Sequence, residues 1–128
     1  MQITKQEVLE ILEKVKACVQ KGLYRISINS NRIENEIFID EYRLTMKKQK
    51  GMILSLDIDD FSKIEKDKNN NIEILYFFGK EYELNHRDRG VENVETYIKF
   101  TIKPKRNSDF ILFISFHKAN WPISYCFK

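Results

Sequence analysis

The chain has 128 residues, with 22 lysines and arginines against 19 aspartates and glutamates, for a formal charge of +3. That length suits one compact domain, 1–128, with a core large enough to need no disulfide staples, and a charge this mild does not by itself argue for a polyanionic partner. Its placement is uneven, however: residues 1–60 balance ten basic with ten acidic, whereas from Lys99 onward six basic residues face a single acid, Asp109.

A capping box opens the chain. Thr4 and Glu7 have the spacing at which hydroxyl and carboxylate each satisfy an orphan backbone donor, so a helix is expected from about Lys5 to Lys21. Val8, Ile11, Leu12, Val15, Cys18 and Val19 form its apolar stripe, and Gly22 stops it. Tyr24, Ile26 and Ile28 alternate with polar residues as a short edge strand. Residues 31–42 read as a short surface helix with Ile33, Ile37 and Phe38 on one side. Thr45 caps another helix, with Met46, Ile53, Leu54 and Leu56 facing inward. Asp57, Asp59 and Asp60 lack the glycine and distal glutamate of a calcium loop and read as caps and solvated acids.

After Phe61 the pattern is β. A polar turn is expected over 68–71, then a strand over 72–78 that is apolar on both faces and therefore central, with helices over one face and something aromatic on the other. A charged loop, 85–90, leads to the strand 95–103, where Thr96, Ile98, Phe100 and Ile102 make an apolar face. Glu95, Tyr97, Lys99, Thr101 and Lys103 line the other; a phenol and two ammonium groups on a rigid sheet suit phosphate contact, although many antiparallel sheets simply solvate one face. Strands at 110–118 and 123–127 complete the chain. Helices first and then an antiparallel meander define an α+β domain, N-terminal helices packed on one side of a curved, mainly antiparallel sheet.

Cys18 and Cys126 lie far apart in apolar contexts with no C-x-x-C or Cys/His cluster, which argues against zinc and for two reduced core thiols. With no signal-like or membrane-spanning apolar run, a cytoplasmic protein without membrane association is expected. Phosphate-loop, dinucleotide-binding, zinc-peptidase and nucleophile-elbow motifs are absent. What remains is Lys, Tyr, Arg and His on strands and loops, the groups that can cleave RNA without a metal or other cofactor. His117 has the one side chain near the polar face with a near-neutral intrinsic pKa, although a histidine at a strand end is also commonly just exposed.

Several short strings, in order, resemble the MqsR family of toxins from bacterial type II toxin-antitoxin systems, small ribonucleases of RelE-like fold. The N-terminal helix ends at Gly22 before Tyr24-Arg25, and Tyr42-Arg43-Leu44-Thr45 resembles the family's Tyr-Gly-Leu-Thr lead-in to a helix. Ile53-Leu54-Ser55-Leu56 and Asp60-Phe61-Ser62-Lys63 resemble its Leu and Asp-Phe-Tyr-Lys arrangement. Thr96-Tyr97-Ile98-Lys99 and Ile114-Ser115-Phe116 resemble its later strands.

The resemblance implies mRNA as substrate, cleavage without a metal ion, and control by a cognate antitoxin. Lys63 corresponds to a lysine implicated in catalysis and Tyr97 to an active-site tyrosine, while His117 stands where better-known members carry a lysine. Tyr76 occupies the region of the family's substrate-contacting glutamine. On this reading His117 is general acid or base, Tyr97 donates a proton or hydrogen bond, Lys63 stabilises the phosphorane, and Arg87, Arg89, Lys99 and Arg106 hold flanking phosphates. A non-catalytic RNA-binding or protein-binding module is the competing expectation.

Overall fold

The computed structural model describes residues 2–69 and 72–128; Asn70 and Asn71, half of the expected polar turn, lie outside them. Helix α1 spans Lys5–Gln20, with the Thr4–Glu7 capping box formed in both directions. Strand β1 (Tyr24–Ile26) and a 3-10 turn (Ser30–Arg32) lead into α2 (Ile33–Glu41) and α3 (Met46–Leu54), the latter capped by the Thr45 hydroxyl. A second 3-10 turn (Ile58–Asp60) precedes β2 (Phe61–Lys66), β3 (Ile74–His86), β4 (Gly90–Pro104) and β5 (Asp109–Lys118). The fold is α+β: the five strands form one sheet in the order β1-β5-β4-β3-β2, a four-stranded antiparallel meander with β1 parallel to β5 at the edge.

Burial explains the packing. Val8, Leu12, Val15, Cys18 and Val19 of α1 enter one continuous apolar cluster with Met52 and Ile53 of α3 and the inward face of the sheet. A row of rings crosses that face, Phe61 to Phe78 to Phe100 to Phe113, with successive centroids 5.4, 5.6 and 5.5 Å apart. Each such ring contributes roughly 1.5–3 kcal/mol by leaving water.

Two strands contain an extra residue. Across β4–β5, Lys99 faces Ser115 but Phe100 faces Phe113, so Ile114 is bulged out of register. Across β2–β3, Phe61 faces Phe78 but Lys63 faces Phe77, so Ser62 is the extra residue. A bulge reverses which face the following side chains take. Phe61 and Phe113 therefore face the core, while Lys63, Ser115 and His117 sit on the opposite face with Phe77, Tyr97 and Lys99.

Several details differ from the pattern read in the sequence. In α2 the buried residues are Asn35 and Phe38, with Ile33 and Ile37 exposed; in α3 they include Met52 and Ile53, with Met46 exposed. Asp57 and Asp60 form a capping box, but Asp60 is buried rather than solvated and pairs with Lys80 at 3.2 Å. The charged loop expected over 85–90 narrows to a three-residue turn, 87–89: β3 runs to His86 and β4 starts at Gly90. Residues 123–127 form no strand, and Cys126 is exposed rather than a core thiol.

Candidate functional site

The sheet face opposite the helices carries a cavity of about 600 Å³ whose lining includes Lys63 from β2, Phe77 from β3, Tyr97 from β4, and Ser115 and His117 from β5. Arg32, from the turn before α2, and the segment Ala119–Ser124 after β5 form its walls. Phe77 is the floor. The Lys63 ammonium stands 4.8 Å above its ring centroid and the Lys99 ammonium 5.7 Å, distances suited to cation–π attraction. Tyr97 lies 6.2 Å from Phe77 and 5.5 Å from His117, centroid to centroid, as the register Tyr97↔His117 requires.

Two cations and a guanidinium crowd a half-buried face, and the local electrostatics follow. Burial, then the Arg32 guanidinium, push the Lys99 ammonium below the ordinary lysine range. Burial, then Glu65, raise the Tyr97 phenol, which is therefore protonated at neutral pH. Glu65 pairs with Lys63 at 2.8 Å, and the hydrogen bond from that lysine holds its carboxylate below the usual range. His117 is oriented by its neighbours. Its Nδ1 is 2.8 Å from the Lys118 carbonyl, and because a carbonyl only accepts, Nδ1 carries the hydrogen, which leaves the lone pair of the uncharged ring on Nε2. Glu34 Oε2 lies 3.8 Å from the same Nδ1.

The C-terminal segment closes one side of the site by crossing the sheet from β5 to β2. Its Ala119 N–H donates to the Glu95 carbonyl at 2.8 Å, the Ser62 hydroxyl to the Ser124 carbonyl at 2.6 Å, and the Cys126 N–H to the Phe61 carbonyl at 2.9 Å. Gly79, opposite Tyr97, leaves the room for this crossing: a Cβ there would collide with Ile123 and come within 2.9 Å of the Tyr125 hydroxyl.

Lys63, Tyr97 and His117 thus line one cavity, with Lys99 beside them. The other expected phosphate or substrate contacts do not join it. Tyr76 alternates with Phe77 and lies on the helix side, stacked 5.4 Å from Phe100. Arg87 and Arg89 belong to the β3–β4 turn, and both are paired with acids. Arg87 contacts Asp40 and Asp88; Arg89 holds Glu92 through two hydrogen bonds of 2.7 and 3.2 Å. Arg89 does line a neighbouring cavity with His117 and Glu34, but its guanidinium is already occupied. Arg106 sits in the exposed turn after β4; Pro104, at the end of that strand, is already about 16 Å beyond Lys99 at strand rise. His86, the last residue of β3, is buried beside the turn that holds Arg87. Its Nδ1 accepts from the N–H groups of Asp88 and Arg89 at 3.0 and 3.2 Å, so its role is to hold the turn.

Arg32, Glu65 and Trp121 carry no signal in the sequence as site residues; Ser115 lies in the string Ile114-Ser115-Phe116, and Phe77 answers the demand of a two-faced apolar strand for an aromatic second layer. Among the described residues no group of three or more His, Cys, Asp or Glu side chains is placed to hold a metal ion. Among them, too, no helix is long and apolar enough to cross a membrane. Comparison of the chain with protein-family models, with curated proteins and with solved structures gives no match.

Proposed function

We propose that this chain is an endoribonuclease that cleaves by internal attack of a 2′-hydroxyl. The observation that carries the reading is that Lys63, Tyr97 and His117, from three different strands, line one open cavity flanked by Lys99 and Arg32. His117 Nε2 takes the 2′-hydroxyl proton, and the 2′-oxygen attacks phosphorus. The bond from phosphorus to the 5′-oxygen breaks, and its electron pair leaves on that oxygen. Tyr97 supplies the proton: an alkoxide is more basic than a phenolate, so the transfer is downhill even from a phenol raised by burial. The imidazolium and the phenolate, facing each other across β4 and β5, then exchange the proton back through water. Lys63 stabilises the phosphorane once the incoming phosphate displaces Glu65. Lys99 and Arg32 hold adjoining phosphates, and no step draws on a metal ion. The products are a 2′,3′-cyclic phosphate and a 5′-hydroxyl.

More narrowly, we propose a cytoplasmic mRNA-cleaving toxin of the MqsR kind, restrained by a cognate antitoxin. The ordered strings around Tyr42, Phe61, Tyr97 and Ser115 support this. So does Arg43, which adopts a φ of 48° at the position where the resembling motif carries glycine. Induced expression in bacteria of the natural sequence beside folded His117→Ala and Tyr97→Phe variants tests it. Growth arrest with loss of mRNA, relieved by both changes, is the expected result; a well-expressed natural chain that causes neither would overturn it. One observation favours a second reading, a relative that binds RNA without cutting it: the Lys63 ammonium already has a carboxylate partner. RNA binding that survives both substitutions, without cleavage by the natural chain, would select that reading.

A further inference from the structure

The chain contains one tryptophan, Trp121, and it stands on the segment that walls the cavity, 82% exposed. A large aromatic side chain in water at the edge of a cationic site has an energetic reason to acquire a partner with a flat apolar face. The backbone around it is pinned on both sides. Ala119 is tied to Glu95 and the Asn120 amide to Glu34 at 2.9 Å on one side, and Ser124 is tied to Ser62 on the other. Pro122 stiffens the next residue. The indole is thus presented by a fixed strap, so that little ordering is required when a ligand stacks on it. Arg32 and Lys63 line the same cavity, the combination of basic groove and aromatic platform by which proteins hold unpaired bases.

We propose that Trp121 is a stacking platform for an unpaired nucleobase next to the phosphate at Lys63, so that the site takes single-stranded RNA and rejects duplex. This rests on the endoribonuclease reading above and adds the form of the substrate. A base inside an A-form helix cannot turn its face to a side chain, whereas a base in a loop or single strand can.

The test uses the full chain, whose intrinsic tryptophan fluorescence comes from this one residue. The probe is a mixed-sequence RNA oligonucleotide, 2′-O-methylated to block attack and labelled for anisotropy, offered single-stranded and annealed to its complement. The expected result is saturable quenching by the single strand and not by the duplex. Trp121→Ala should weaken single-strand affinity about tenfold, a magnitude typical of one lost stacked base, while Trp121→Phe keeps most of it. Single-strand binding that leaves the fluorescence unchanged and is as tight in Trp121→Ala would overturn the proposal, as would the absence of any binding. Cleavage of unmodified RNA is scored separately. Quenching and the Trp121→Ala loss without cleavage would leave the platform standing and remove the catalytic reading; cleavage without either would do the reverse.

Discussion

Asn35, buried on α2, donates its side-chain amide to the carbonyl of Ile114 at 2.9 Å, and Ile114 is the residue that bulges out of β5. The same amide group donates to the Ser27 carbonyl at 2.7 Å, and its oxygen accepts from the Phe116 N–H at 2.9 Å. One helix side chain therefore satisfies the backbone groups that the bulge and the end of β1 leave without ladder partners. Because the bulge turns His117 away from the face of Phe113, Asn35 supports the orientation of the proposed base.

Asn35→Leu should consequently cost more than an average core change. Three backbone groups lose their partner, the Phe116 N–H in a buried setting and the Ser27 and Ile114 carbonyls in a partly buried one, and at about 1–3 kcal/mol for each unsatisfied group the loss should be about 3 kcal/mol. Denaturant unfolding measures it. A Leu variant within about 0.5 kcal/mol of the natural chain would show that the bulge holds itself.

Arg43 gives a prediction of opposite sign. Its φ of 48° lies in the left-handed region, which disfavours side chains with a Cβ by roughly 1–2 kcal/mol, partly offset by the larger entropy that glycine loses on folding. Arg43→Gly should raise stability by up to about 1 kcal/mol, seen as a higher thermal midpoint. A lower midpoint would mean that the arginine side chain contributes more than its backbone costs.

The β3–β4 turn should report on acid. Arg89 first, then the Tyr42 hydroxyl at 2.7 Å, hold the Glu92 carboxyl down at about 2, against 4.5 ordinarily. A folded value below the unfolded one means stabilisation present above about 4.5 and lost as the pH falls towards about 2. The pair is solvent-exposed, so the effect should be small and should shrink with salt. Stability measured from pH 6 to pH 2 should fall less steeply in Glu92→Gln than in the natural chain; parallel curves would count against the linkage.

Where local chemistry sets the structure, the sequence could be read directly. The Thr4–Glu7 box and the stripe from Val8 to Val19 require α1, and strict alternation puts Tyr97 and Lys99 on a polar face of β4. The bulges could not be read, because simple alternation pairs Lys63 with Phe61 and His117 with Phe113, and the extra residues Ser62 and Ile114 carry no special signal. The pattern groups Ile33, Ile37 and Phe38 on one side of α2, yet only Phe38 of the three is buried; the orphaned groups around the bulge require an amide, and Asn35 takes the inward position beside it. Arg87 and Arg89 looked free because Asp40 is remote in sequence and the geometry joining Arg89 to Glu92 appears only once the turn is folded. Residues 123–127 alternate like a strand, but Ile123 and Tyr125 pack over Gly79, and the segment crosses the sheet instead of joining its edge.

The central claim is that the face bearing Lys63, Tyr97 and His117 cleaves RNA by 2′-hydroxyl attack. The most direct measurement is end-group analysis of a defined single-stranded RNA incubated with the purified chain in excess EDTA, beside folded Tyr97→Phe and His117→Ala. The account predicts 2′,3′-cyclic phosphate and 5′-hydroxyl ends, with each substitution slowing cleavage by about 10²–10⁴-fold, the usual worth of a positioned acid or base. Cleavage that requires added magnesium, or that leaves 5′-phosphates, or that proceeds unchanged in both variants, would contradict it.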